Sequence, residues 1–339
     1  MPRKDFTRVR TFRTAVPPLK APFSLTHTDR TVVIGSCFSE HLGERLKAHK
    51  FTMLVNPSGI LYNPLSIARL LERLLDEAAD FSGHVFSFQG LWHSWEHHGR
   101  WSHPERCVFE QQLQDAHRQA WAFAASANRL FLTLGTAHVF VLRASGQVVA
   151  NNHKAPAEWF EQRRLSVEET TQALAAALER WKTSHPNLEV LLTVSPVRHL
   201  RQGLIENQRS KAILLLACDE LCSRYPFVHY FPAYELLLDD LRDYRFYAAD
   251  MVHPSDVAID YIWDYFAQAF FLPETAQLVN QIARIRAAAA HRPFHPNSPE
   301  HQAFAQRQWQ AILELLQQHP GLDFSEELAY FQSFLSHTS

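Results

Sequence analysis

Short apolar runs alternate with amphipathic stretches along most of the chain. Residues 31–36, TVVIGS, read as a buried strand, and 39–50, SEHLGERLKAHK, as the helix that follows it. FTMLVNP (51–57) predicts a second strand. Asn63-Pro64 then supplies an N-cap and a proline at the first helical position for PLSIARLLERLLDEAA. Residues 81–103 interrupt the pattern with a polar, aromatic insertion of hairpin character. A helix over about 110–128 leads into the strand RLFLTLG, and VFVLRASGQVVANN reads as a hairpin turning at Ser145-Gly146. Ser166 and Glu169 form a capping box for a helix reaching about Thr183. LEVLLTVSP predicts a central strand, 206–224 a helix and FVHYF a short strand; a last helix of the alternating series starts after Pro254 and runs through IDYIWDYFAQAF. Such alternation predicts a three-layer α/β/α domain around a mainly parallel sheet. Beyond about residue 272 the chain is helical, Ala/Gln-rich and broken at HRPFHPNSP. The expected division is an N-terminal arm (1–24), an α/β domain (25–271) and a helical C-terminal extension (272–339).

The 339 residues suffice for that domain and its appendage, and 46% hydrophobic with 20% charged residues is an ordinary globular balance. A formal net charge of −2 argues against nucleic acid or an acidic membrane surface as partner. No apolar run approaches the roughly 18 residues that would span a bilayer. The basic start, MPRKDFTRVRTFRTAV, lacks the apolar core of a secretory signal. Four cysteines without a C-x-x-C pair fit free thiols in a reducing cytoplasm, and Cys218 and Cys222 sit at core spacing on a helix. Histidine is abundant, at 20 residues. The tract LWHSWEHHGRWSHP holds His93, His97, His98 and His103, and the i,i+4 pair His93/His97 could chelate a metal on a helix. Its three Trp and one Gly read better as strand and loop, so neither metal nor cofactor is expected.

Sites in parallel α/β sheets lie beyond the carboxyl ends of the strands. The first strand ends in Gly35-Ser36-Cys37-Phe38, directly before a helix, where exposed amides and the helix dipole favour a thiolate. A small buried residue closing the strand–helix turn would look the same. Asp250 and His253, three residues apart in ADMVHP, can share one turn. The carboxylate would accept the imidazole Nδ1–H and leave Nε2 facing a nucleophile. Taken alone, that pair equally fits a helix cap before Pro254.

Together these pieces resemble the SGNH hydrolase superfamily, with its G-D-S nucleophile turn after the first strand and its D-x-x-H pair before the last helix. Here G-S-C stands in place of G-D-S, which puts Cys37 rather than Ser36 at the nucleophile position. More narrowly, the chain resembles the GSCFA-domain family over about residues 25–270. The matching segments are GSCFS, NPSGILYNP, LTLGTA, VANNHK, SPVRH and YFPAYELLLDDLRDYRFYAADMVHPS. The resemblance implies that Gly59 supplies an oxyanion-hole amide and that Gly135 and Thr136 begin the third SGNH block. That block departs from its pattern, because GTAH lacks the expected Asn. The family also usually carries an aromatic residue where His138 stands and a Cys where Asn152 stands. Asn151 or Asn152 is expected to replace the missing amide if the 139–150 hairpin returns to the same edge.

Ser36 and His153 are further expected to line the site. Arg198 and His199, after a strand end, are expected to bind substrate, Arg198 through a carboxylate or phosphate, with pairing to an internal acid as its alternative. The run LLLDDLRDYR reads as a solvated helix face. The function so implied is acyl transfer, as esterase, thioesterase or acyltransferase, through a Cys-His-Asp site and a thioester, on a small-molecule, glycan or acyl substrate. The rivals are a non-catalytic carbohydrate- or acyl-binding module on the same fold and a metal-dependent hydrolase using His93, His97 and His98.

Overall fold

The computed structural model describes residues 13–335; the expected arm's first residues (1–12) and residues 336–339 lie outside the described residues. The central sheet takes β1 (Arg30–Gly35) and β2 (Thr52–Val55) from the start of the chain. A hairpin of β3 (Val85–Phe88) and β4 (Leu91–Ser94) intervenes before the sheet resumes at β5 (Arg129–Leu134). A small antiparallel sheet of β6 (His138–Leu142), β7 (Val148–Val149) and β8 (Phe160–Arg164) then precedes β9 (Glu189–Val194) and β10 (Val228–Tyr230). In space the central strands run β2-β1-β5-β9-β10, all parallel. Chain order reverses between β1 and β5, and such a switch point opens a crevice beyond the strand ends.

The helices are α1 (Cys37–Ala48), α2 (Pro64–Arg73), α3 (Arg106–Ala124), α4 (Val167–Ser184), α5 (Leu204–Arg224), the single turn α6 (Ala233–Glu235), α7 (Asp256–Phe270), α8 (Pro273–Ala290), α9 (Pro299–Gln318) and α10 (Ser325–Gln332). Strand side chains alternate between the faces, so one sheet feeds two cores. Val32, Ile34, Leu130, Leu132, Val190 and Leu192 pack with Ile67 and Leu71 of α2, Leu174 and Trp181 of α4, and Leu214 and Leu221 of α5. Val33, Phe131 and Leu191 point the other way, onto Phe38 and Leu42 of α1 and Ile262 and Phe266 of α7. That is the expected three-layer α/β/α arrangement.

The predicted caps form. Asn63 Oδ1 accepts from the Ser66 amide at 2.9 Å, and Ser166 and Glu169 cap each other. Two expectations need correction, and one strand has no counterpart in the sequence reading. Helix α2 stops at Arg73, short of Ala79. Asp76 begins a turn there, its side chain accepting from the Ala78 amide at 3.0 Å, and such local bonds compete with helix. Strand β8 has no apolar run to announce it, because most of FEQRR is exposed at the edge of β6. The LLLDDLRDYR segment is no solvated helix face: Leu236–Asp240 makes a π-helical turn that buries Asp240. Its carboxylate accepts from the Val16 amide at 3.2 Å and the Tyr261 hydroxyl at 2.8 Å.

Residues 16–23 of the arm lie against the α7 side, with Val16, Leu19 and Phe23 packed on that core. Helices α8–α10 surround a core of their own that includes Ile282, Ile312, Phe324 and Phe331. A half-hidden ion pair, Lys50 Nζ to Glu327 Oε1 at 2.8 Å, ties α10 to the end of the α1–β2 turn. Among the described residues no helix is long and apolar enough to cross a membrane.

Candidate functional site

A cleft of about 250 Å³ lies at the switch point. Ser36 and Cys37 reach it from the end of β1, Gly135 from β5, and Ser195, Val197, Arg198 and His199 from β9; Tyr62, Val252 and His253 complete its lining. Residues 216 positions apart in sequence, Cys37 and His253, thus face one space. The β1 turn is tight: Gly35 has φ +145°, and a Cβ there would stand 2.2 Å from the Thr133 carbonyl oxygen. Only glycine allows β1 to end so close to β5.

Cys37 opens α1, and Ser36 is its N-cap. The Ser36 hydroxyl accepts from the Phe38 amide at 3.3 Å and donates to Ser195 Oγ at 2.9 Å. It is buried and committed, while the Cys37 thiol is half-buried. Burial pushes the Cys37 thiol above its ordinary pKa. The amides of Cys37 and Phe38 and the charge of Lys211 pull it down, but less strongly, and Glu40 adds to the rise. The expected stabilisation by the helix start is therefore present and outweighed by desolvation.

Asp250 and His253 form the expected pair, with Oδ2 2.6 Å from Nδ1. Asp250 Oδ1 also accepts the amides of Val252 at 2.9 Å and His253 at 3.0 Å. Bonds from His253, through its amide and ring, and then from the Val252 amide hold the carboxyl down at about 2. The turn needs Met251 at φ +58°. Arg198 braces it: its Nη1 donates to the Met251 carbonyl at 3.1 Å, its amide to the Val252 carbonyl at 3.1 Å, and its guanidinium lies 4.0 Å from the centre of the Tyr247 ring. Among the described residues no internal acid pairs with Arg198, which lines the cleft and is held against the His253 turn by these contacts. His199 lines the cleft, its amide tied to Asn207 Oδ1 at 2.8 Å. Burial, then the nearby Lys211, lowers its imidazole to about 4, so it is neutral at pH 7.

Of Gly59, Gly135, Thr136, Asn151 and Asn152, only Gly135 lines the cleft. The Gly59 amide is used within its own turn, donating to the Asn56 carbonyl at 2.8 Å. Gly59 is required there by φ +79° and by His98, whose Cβ would stand 2.4 Å from an added Cβ. The Gly135 and Thr136 amides both donate to the Tyr62 carbonyl at 2.9 Å, and Thr136 Oγ1 meets Ser210 Oγ at 3.0 Å. Asn151 Oδ1 accepts the His153 amide at 2.7 Å, and the Asn152 carbonyl accepts the Ala155 amide at 2.8 Å. His153 turns its Nε2 to the Ser94 carbonyl at 2.8 Å and packs against Phe86, His93 and Trp95. None of Gly59, Thr136, Asn151, Asn152 or His153 lines the cleft. The hairpin does return, but to the β3–β4 insertion rather than to the end of β1: the Ala150 amide donates to the Trp95 carbonyl at 2.8 Å. His93 lies on β4 and His97 and His98 in the loop after it, and among the described residues no group of three or more His, Cys, Asp or Glu converges to hold a metal ion.

Three residues escaped the sequence reading. Tyr62 lines the cleft, and burial, then Cys37 and Glu40, raise its phenol so that it keeps its proton. Ser195 anchors Ser36. Lys211, 1% exposed, donates from Nζ to the Gly135 and Ser195 carbonyls, each at 2.7 Å. A signal for Lys211 was available, since it stands on the stripe Asn207, Leu214, Cys218 and Leu221 that α5 buries.

Fold and cleft define a doubly wound α/β protein with a cysteine at the head of the first helix, facing an Asp-His turn. The GSCFA family model matches residues 30–266, so the chain belongs to the GSCFA family. A second model, the C-terminal domain of GSCFA domain proteins, matches residues 282–337. No curated protein matches the chain. Among solved structures, an acetyl xylan esterase from the rumen bacterium Butyrivibrio proteoclasticus is similar to part of it, at 11% identity and a TM-score of 0.24. That match covers 42% of this chain and spans 38% of the esterase, a likeness too slight to carry an argument about activity.

Proposed function

We propose that this protein is an acyl-transfer enzyme of SGNH type, an esterase, thioesterase or acyltransferase, working through a covalent thioester on Cys37. Its catalytic unit would be the α/β domain (25–271), with 272–339 as an appended helical unit. The observation that carries the reading is the shared cleft: Cys37 and the Asp250-paired His253 line one space at the switch point. Commitment of Ser36 to capping supports Cys37 as the nucleophile. In the proposed cycle, Cys37 Sγ attacks the acyl carbonyl while His253 Nε2 takes the thiol proton, and Asp250 stabilises the imidazolium through Nδ1. The leaving group departs with that proton. Water or a second nucleophile then cleaves the thioester, with His253 again as base. The Cys37 amide and the neutral Tyr62 phenol are the donors proposed for the oxyanion.

One observation favours the binding-module rival: the amides of Gly59, Gly135 and Thr136 already have carbonyl partners. Intact-mass spectrometry after brief exposure to a chromogenic acetate ester separates the two. An acetyl adduct mapped to Cys37, formed and lost at the turnover rate, is expected. Saturable ligand binding with no adduct and no turnover would favour the binding module.

A further inference from the structure

The turn that carries His253 is pinned from two sides. Arg198 holds it from the end of β9, and the second anchor is Asp240, in the π-helical turn upstream. The Asp240 side chain is buried, and its donors among the described residues come from outside its own segment. Arg13 Nε stands 3.1 Å from Oδ1, and the Val16 amide donates to Oδ2 at 3.2 Å. The Tyr261 hydroxyl of α7 donates to Oδ2 at 2.8 Å and accepts from Arg13 Nη2 at 3.2 Å. One turn further along α7, the Tyr265 hydroxyl donates to the Pro17 carbonyl. The arm thus supplies two of these three donors, the cation included. A buried carboxylate that loses its cation is costly, and the cost is relieved only if the group moves outward or takes up a proton.

From Asp240 to His253 the contacts are continuous. The Leu241 amide closes the π-helical turn on the Leu236 carbonyl at 3.0 Å. Leu237 and Leu241 flank the carboxylate and are buried with Tyr247 and Ala258 in a small core of their own. Tyr247 in turn forms an antiparallel bridge with Pro254. Around that bridge the Ala248 amide donates to the His253 carbonyl, and the Ser255 amide to the Phe246 carbonyl, each at 2.8 Å. The Tyr247 ring also receives the Arg198 guanidinium at 4.0 Å, so both anchors meet at Tyr247.

We propose that Asp240 is a positioning residue for His253, and that the arm, through Arg13 and the Val16 amide, is the strap that keeps it seated. The inference rests on His253 being the base of the proposed reaction. Asp240 does not line the cleft. It acts through the Leu237–Leu241–Tyr247 packing, which sets where Pro254 and His253 lie and so how the imidazole meets Asp250. Releasing the arm therefore loosens this turn locally and leaves the sheet intact.

Amide hydrogen exchange and NMR of the labelled histidine rings, both on the full-length protein, test this. In Arg13→Ala the Ala248 and Ser255 amides should exchange about tenfold faster, while amides of β1 and β5 keep their parental protection. The His253 ring signals should move toward those of Asp250→Asn, and Arg13→Lys, which keeps a cation, should restore part of both effects. Parental Ala248, Ser255 and His253 signals in Arg13→Ala overturn the proposal. Protection lost evenly through β1 and β5 also overturns it, because the role would then be global. Should Arg13→Ala fail to fold, Asp240→Asn removes the charge and keeps the shape, and the same two outcomes decide. Neither measurement uses an acyl substrate, so a protein that transfers no acyl group can pass this test and an active esterase can fail it.

Discussion

The carboxylate of Asp250 holds both the ring and the backbone of His253: Oδ2 lies 2.6 Å from Nδ1, and Oδ1 accepts the His253 amide at 3.0 Å. The pair is not hidden, with side chains 49% and 44% exposed, so its value lies in orientation more than in stability. Asp250→Asn should fold and melt close to the parent and lose turnover on the order of 10³–10⁴-fold, because the amide can fix the wrong tautomer and cannot stabilise imidazolium. Parallel losses of melting temperature and rate would instead mark Asp250 as a structural cap. With its pKa near 2, the Asp250 charge is present above the ordinary carboxylate range and is lost only as pH falls toward 2.

Cys37 and Ser36 should separate cleanly in mutants. Cys37→Ala should abolish turnover, and Cys37→Ser should retain a trace through His253. Ser36→Ala should cost about 0.5–2 kcal/mol in urea denaturation, the usual loss for an N-cap, with a modest fall in rate. An inactive Ser36→Ala alongside an active Cys37→Ala would make Ser36, not Cys37, the nucleophile.

Two buried histidines predict acid sensitivity. Burial lowers His97 to about 3 and His153 to about 4, so both are neutral in the folded chain, while an unfolded chain protonates histidine near 6.5. The unfolded state therefore binds more protons below about pH 6.5, and stability falls as pH drops from there toward 4. Each histidine contributes a slope of up to about 1.4 kcal/mol per pH unit. Denaturation midpoints at stepped pH check this, and a flat profile through that window would contradict it. His153→Gln should flatten the profile if the variant folds.

The helical extension should depend on Lys50–Glu327, whose side chains are 15% and 9% exposed. Removing one partner of a buried pair costs about 3–5 kcal/mol at full burial, and less for this partly wet one. Glu327→Ala should therefore make α8–α10 more sensitive to limited proteolysis while Cys37 alkylation stays at the parental rate. Unchanged proteolysis would show the docking to rest on apolar contacts alone.

Local physics made much of this protein legible in its sequence. Apolar runs gave the five central strands, Asn63, Ser166 and Glu169 gave the caps of α2 and α4, and the motifs around Cys37 and Asp250-His253 stood out by residue type and spacing. These are properties of short segments, whose preferred conformations follow from side-chain pattern and capping. The donors around the site were not legible, because an amide's partner is fixed by where the chain folds back. Gly59 answers to Asn56 and Gly135 to Tyr62, and the hairpin that carries Asn151 returns to the β3–β4 insertion. Tertiary packing likewise buried Lys211 behind the cleft wall and Asp240 beneath the arm, since the cost of burying a charge depends on everything that surrounds it.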